Sequence, residues 1–150
     1  MRVLLDTSVI VPALCPAHQH HSVCLPWLES AFSGRMVMIA TSHCLAATYA
    51  VLTRLPFKPK LGEINAWQMI RENIVERSEL IDVPAFAYCE IIDELAKAGL
   101  GGGVVYDGLI AKAAELSGVD FLVTRNAAHF ISVWPRGANR IVSPLNQSAP

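Results

Sequence analysis

The tightest constraint on the fold is the run Arg2-Val3-Leu4-Leu5, which opens the sequence and ends on the carboxylate of Asp6 and the hydroxyls of Thr7 and Ser8. A half-exposed strand alternates polar and apolar residues. A run apolar on consecutive positions needs cover on both faces, which is the habit of a parallel sheet between helix layers. Asp6 then stands at the carboxyl end of the first strand, the edge at which open α/β sheets bind their ligands. The same Asp-Thr-Ser also reads as a helix amino-terminal cap, with a side-chain oxygen accepting from an orphan backbone N–H.

The rest of the sequence repeats the alternation. Apolar runs at 36–40, 79–83, 121–124 and 141–142 read as four further strands. Between them lie helical patterns. One opens at 9–14, with Pro12 expected in its first turn. Val23, Trp27, Leu28, Ala31 and Phe32 recur at helical spacing up to Ser33-Gly34. A helix over 43–54 stops before Pro56, as the restriction on a pre-proline residue requires. Ile64, Trp67, Ile70 and Ile74 or Val75 form a stripe; Phe86, Cys89, Ile92 and Leu95 follow Pro84, expected at a first helical position; a last helix runs from 105 or 106 to 116, closed by Gly118. Strands alternating with helices predict an α/β three-layer sandwich, a mostly parallel five-stranded sheet flanked by helices. One domain is expected over 1–150, with a frayed polar tail at 144–150.

With 53% hydrophobic residues the chain is not disordered. Its longest apolar runs are far shorter than the roughly 20 residues that cross a bilayer, so no membrane association is expected. No signal-peptide pattern follows Arg2. Cys15, Cys24, Cys44 and Cys89 form no C-x-x-C pair. They read as buried, reduced thiols, and a cytoplasmic location is expected. His18, His20 and His21 match no zinc template and read as a polar loop.

The net charge of −1 does not advertise nucleic-acid binding, but eight of the thirteen acids fall in one stretch from Glu63 to Glu94. A polyanion would meet another surface, where Arg54, Lys58, Lys60 and Arg125 are candidates for phosphate contacts. Glu90, Asp93 and Glu94 read as a solvated helix face.

Asp6 and Asn126 fall just past the carboxyl ends of two strands, and Asp107 opens a helix after Gly101-Gly102-Gly103. Strand carboxyl ends and helix amino ends share one edge of such a sheet. Singly, Asp107 reads as a cap or dipole partner, Asn126 as a turn residue and the glycines as a loop. Jointly, Asp6 and Asp107 supply the carboxylate minimum for a hard cation such as Mg²⁺. The glycines fit no nucleotide-binding fingerprint.

Four segments carry a family likeness: Leu4-Leu5-Asp6-Thr7-Ser8; Leu45 through Val51-Leu52-Thr53-Arg54-Leu55-Pro56; Gly101-Gly102-Gly103 with Tyr106-Asp107; and Thr124-Arg125-Asn126 with His129-Phe130. In order and spacing they resemble the PIN-domain ribonucleases, and among these the VapC-type toxins of bacterial toxin-antitoxin pairs. The resemblance implies an endoribonuclease dependent on Mg²⁺ or Mn²⁺, an RNA substrate cut to 5′-phosphate and 3′-hydroxyl ends, an antitoxin protein as partner and a homodimer. It makes Asp6 and Asp107 metal-binding acids, lets Asn126 act through an oxygen or a water, and adds hydroxyl contacts from Thr7 and Thr124. One position departs from the pattern: where the family usually has Glu, this chain has Ala47. The missing charge implies weakened or lost activity, in a natural or an engineered chain. The alternative is a catalytically dead PIN scaffold that binds an antitoxin. A fold working through an aspartyl intermediate at Asp6 would call for a further acid close by and a late lysine, and neither is evident.

Overall fold

A computed structural model describes residues 1–56 and 58–150. Five parallel strands, β1 (Arg2–Leu5), β2 (Val37–Thr41), β3 (Ser78–Ile81), β4 (Phe121–Val123) and β5 (Ile141–Val142), form one sheet in the order β3-β2-β1-β4-β5. Val3, Leu4 and Leu5 are wholly buried, as a central strand covered on both faces must be. Leu4 pairs with Ile39 on one side and Leu122 on the other.

The crossovers are helical. α1 (Thr7–Leu14) and α2 (His21–Phe32) join β1 to β2. α3 (Ser42–Leu52) and α4 (Glu63–Ile70), the latter prolonged by a π-helical turn at Arg71–Val75, lead to β3. α5 (Ala85–Lys97) and α6 (Val104–Leu116) lead to β4, and α7 (Ala127–Val133) with a 3-10 turn at Pro135–Arg140 leads to β5. α1 packs on α2 and α3, α3 on α4, and α6 on α5 and α7, so the expected sandwich is the observed one. Because the chain winds outward from β1 in both directions, the strand order reverses between β1 and β4. That reversal opens the crevice in which α/β sheets bind ligands.

Boundaries differ from expectation for local reasons. Asp6 caps α1 directly, so the helix begins at Thr7 and Pro12 falls in its interior, not its first turn. Pro84 is the residue before α5 instead of its first, and on that helix Cys89 is exposed, whereas Cys15, Cys24 and Cys44 are buried as expected. α2 and α6 give way to Gly34 and Gly118 at φ +73° and +59°, left-handed conformations that favour glycine. α7 and the 3-10 turn are additions to the sequence reading. Residues 143–150 lie outside any helix or strand, and Ser30 Oγ donates a 2.6 Å hydrogen bond to Pro150 O. None of the described helices is long and apolar enough to cross a membrane.

Candidate active site

The backbone ladder runs one residue past the strands. Asp6 N donates to Val123 O and Thr124 N to Val142 O, which sets Asp6 and Thr124 side by side in the crevice between β1 and β4. Asp6 is 5% exposed and Thr124 not at all. A buried carboxylate needs donors. Asp6 Oδ2 accepts from Thr124 Oγ1 at 2.9 Å, from Ser8 Oγ at 2.6 Å and from Ser8 N at 3.3 Å. The last of these is the helix cap that the sequence allowed. Ser8 Oγ also accepts from Arg125 N at 3.0 Å, and Thr124 Oγ1 from Asn126 N at 3.0 Å. The turn after β4 is thereby pinned to the start of α1.

Among the described residues, every hydrogen bond to the Asp6 carboxylate lands on Oδ2. Oδ1 accepts none of them. The Thr7 hydroxyl oxygen is buried beside the Cys44 thiol without a conventional hydrogen-bond partner.

Asp107 comes from the first turn of α6 and keeps 19% of its side chain exposed. Burial, then the negative charge of Asp6, hold its pKa above the ordinary carboxylate value. His129 of α7 opposes that shift, its Nδ1 lying 3.6 Å from Asp107 Oδ2. The two acids thus share one electrostatic environment although they are remote in sequence. α3 starts at the same edge, capped by buried Thr41, whose Oγ1 accepts from Cys44 N at 3.0 Å. The His43 imidazole of that first turn is kept below its usual pKa by burial, with the Asp6 charge pulling the other way. It stacks on Tyr106, ring centroids 4.7 Å apart and planes 11° from parallel.

The remaining sequence candidates fall at varied distances from this centre. Asn126 precedes α7 with an exposed side chain that makes no capping bond. Ala47 is half-buried on α3, one turn beyond His43 and on the same helix face. Arg125 is half-buried, its Nε without a partner among the described residues. Arg54 and Lys58 are exposed and form no ion pair among the described residues. Lys58 lines a cleft with Leu14 and Cys15 at the far end of α1. Glu90 pairs with Lys112 at 3.5 Å and Asp93 with Lys97 at 2.5 Å, so both belong to an outer face. Three contributors went unassigned in the sequence: Ser8, His43 and His129. Ser8 and His129 lie inside recognised segments, whereas nothing local marks His43.

The donor set decides which cation fits. Among the described residues no three His, Cys, Asp or Glu side chains converge, which is unlike a tetrahedral zinc centre. Two carboxylates, one of them with an oxygen free of hydrogen bonds among the described residues, suit a hard cation that keeps most of its waters.

The chain matches the PIN domain over residues 3–133. It is 33% identical over 126 residues to ribonuclease VapC27 of Mycobacterium tuberculosis, covering 82% of this chain and 83% of that one. With ribonuclease VapC40 of the same species it shares 28% over 117 residues, covering 78% and 81%. The fold recurs in a crystal structure of FitAcB from Neisseria gonorrhoeae, with a TM-score of 0.63, 21% identity and coverage of 97% and 99%. It recurs also in VapBC2 from Rickettsia felis bound to a promoter DNA fragment, with a TM-score of 0.61, 24% identity and coverage of 95% and 98%. The chain belongs to the PIN-domain family, and within it to the VapC type.

Proposed function

We propose that the protein is a Mg²⁺- or Mn²⁺-dependent endoribonuclease, the toxin of a toxin-antitoxin pair, weakened by alanine at position 47. The observation that carries this reading is the Asp6 carboxylate. One oxygen is fixed by Thr124 and Ser8, the other is free, and the charge bears on Asp107. Relatives named ribonucleases support the same reaction.

Asp6 Oδ1 and Asp107 would hold the cation, with Thr7 beside them and Asn126 acting through its oxygen or a water. A hard divalent cation supplies charge compensation for the phosphoryl oxygens during in-line hydrolysis of a phosphodiester. The protein's own part is positional. Ser8 and Thr124 prevent Asp6 from rotating, and His129 steadies Asp107. Arg125, adjoining Thr124, offers a cation to the RNA backbone, and Arg54 and Lys58 would extend that contact. Ala47 contributes no charge, so less of the negative charge that builds on the phosphate is offset.

Replacing Ala47 by Glu is expected to raise Mn²⁺ affinity and Mn²⁺-dependent cleavage of single-stranded RNA. No gain from that change, together with a harmless Asp6→Asn, removes the assignment.

A second reading is a nuclease-dead scaffold that holds an antitoxin and a second copy of itself, in the cytoplasm. It is favoured by the methyl group at position 47 and by apolar side chains left outside, among them Ile64 at 80% exposure, Trp67, Phe86 and Ile92. The likeness to the VapBC2 and FitAcB structures supports an antitoxin as partner. Its signature is tight antitoxin binding with no cleavage at any Mn²⁺ concentration.

A further inference from the structure

We propose that the stacked pair His43–Tyr106 is a platform on which a nucleobase flanking the scissile phosphate rests, with Tyr106 as the residue that touches the base. This inference rests on the RNA-cleaving reading and adds the element that grips the substrate's base.

Three observations converge. The first is location. Tyr106 immediately precedes Asp107 in the first turn of α6, and His43 lies in the first turn of α3, within reach of the Asp6 charge. A ligand on this pair is therefore beside both acids. The second is geometry. Rings 4.7 Å apart and 11° from parallel form the start of a stack that a third flat ring can continue. His43 is the half-buried member, anchored on α3, while Tyr106 keeps 51% of its surface exposed. A large aromatic ring left half in water next to a catalytic acid has a π-face to offer. The third is charge. His43 and Ala47 share a face of α3, so this wall of the site presents an imidazole and a methyl group. Neither repels a neutral base or the phosphate that follows it.

Single-stranded nucleic acids are commonly held by this combination, in which cations track the backbone and aromatic rings take the bases. Stacking has little base selectivity, because every base has a π-face, and the larger face of a purine gains most. Tyr106 is thus expected to set affinity and register along the strand. The Tyr106 hydroxyl has no part in the stack, which predicts that phenylalanine substitutes for it.

The test is a fluorescence titration. A single-stranded RNA hexamer carrying 2-aminopurine at one position is titrated with the full chain, in Mn²⁺ and in EDTA, and the 2-aminopurine is moved position by position. The wild-type chain and Tyr106→Phe are expected to quench the fluorophore at one position of the hexamer with equal affinity. Tyr106→Ala is expected to abolish that quenching and weaken binding on the order of ten-fold, the loss of one base–aromatic stack. His43→Ala is expected to give a smaller loss, since it removes the support and leaves the contacting ring. Tyr106 is exposed enough that its replacement leaves the core intact, and circular dichroism verifies this. If Tyr106→Ala binds and quenches like wild type, the platform is wrong while the RNA-cleaving reading stands. If the wild-type chain binds no RNA in either buffer, both fall. If Tyr106→Ala loses affinity only for an antitoxin peptide, the ring is a protein contact and the inference is overturned.

Discussion

Thr124 Oγ1 donates a 2.9 Å hydrogen bond to Asp6 Oδ2 across 118 positions of sequence. The bond joins the two strands that flank the reversal of strand order, and it fixes one of the two carboxylate oxygens of Asp6. Its removal is therefore expected to act on stability and on cation binding together.

Thr124→Val retains shape and removes the donor. With Thr124 fully buried and Asp6 nearly so, the expected cost is about 1–3 kcal/mol of unfolding free energy, the range for depriving a buried polar group of its partner. Urea unfolding measures the cost, and calorimetric titration with Mn²⁺ is expected to show weaker binding. Unchanged Mn²⁺ affinity would detach Thr124 from the site.

Asp107 is expected to strain the cation-free protein. Its folded pKa lies above the unfolded value, so the folded state holds the proton more tightly; stability is gained as pH falls through the raised value and lost above it. Asp107→Asn is thus expected to raise the thermal midpoint at neutral pH without Mn²⁺ and to flatten that part of the pH profile. In the wild-type chain, Mn²⁺ affinity is expected to rise with pH over the same range. A lowered midpoint for Asp107→Asn would contradict the crowding of the two acids.

The opposite sign holds on the outer sheet. Arg2 reaches over β2 to Glu79 of β3, donating at 2.8 and 3.1 Å and holding the Glu79 carboxyl below its ordinary value of 4.5. The stability this pair contributes is present above that ordinary value and disappears as pH falls through the lower folded one. Glu79→Gln is expected to lower the thermal midpoint at neutral pH, modestly because the pair is exposed, and to match wild type in acid. A difference persisting at low pH would assign the loss to something other than charge.

Gly137 lies in the 3-10 turn before β5, buried under Trp134. A methyl group there would fall inside the indole ring. Gly137→Ala is expected to cost about 1–3 kcal/mol, as overpacking does, and to disturb β5. Equal unfolding midpoints for variant and wild type would show that the indole swings aside freely.

The elements legible in the sequence are those that bury a continuous face. Each strand is placed to within two residues: β1, β2 and β4 carry apolar runs that are buried over most of their length, whereas the edge strand β3 leaves Glu79 and Leu80 exposed; α2 and α6 end where Gly34 and Gly118 permit a left-handed residue. α7 left no such trace. Of Ala127–Val133 only Phe130 is buried, so the helix lacks a stripe, and its place is set by the pinned turn before it. The π-helical turn at Arg71–Val75 is equally silent, since its stripe of Ile70 and Ile74 fits an ordinary helix. Trp27 and Trp67 both stand in helical stripes of the sequence, yet Trp27 is 1% exposed and Trp67 48% exposed. Periodicity names the face of a helix but not whether anything covers it. At the site, Asp6, Asp107 and Thr124 were marked by their motifs. His43 was not, because its importance arises from a ring supplied by α6, more than sixty residues later.

The central position of β1 has a consequence for biosynthesis. β1 meets β2 early in translation, but its other edge stays bare until Phe121–Val123 has been translated, and Asp6 stays unclamped until Thr124 follows. A nascent chain therefore has no assembled centre until Thr124 has emerged. On the proposed activity, a chain translated only as far as α6 cannot cut the messenger that encodes it, because Asp6 has no Thr124 to hold it.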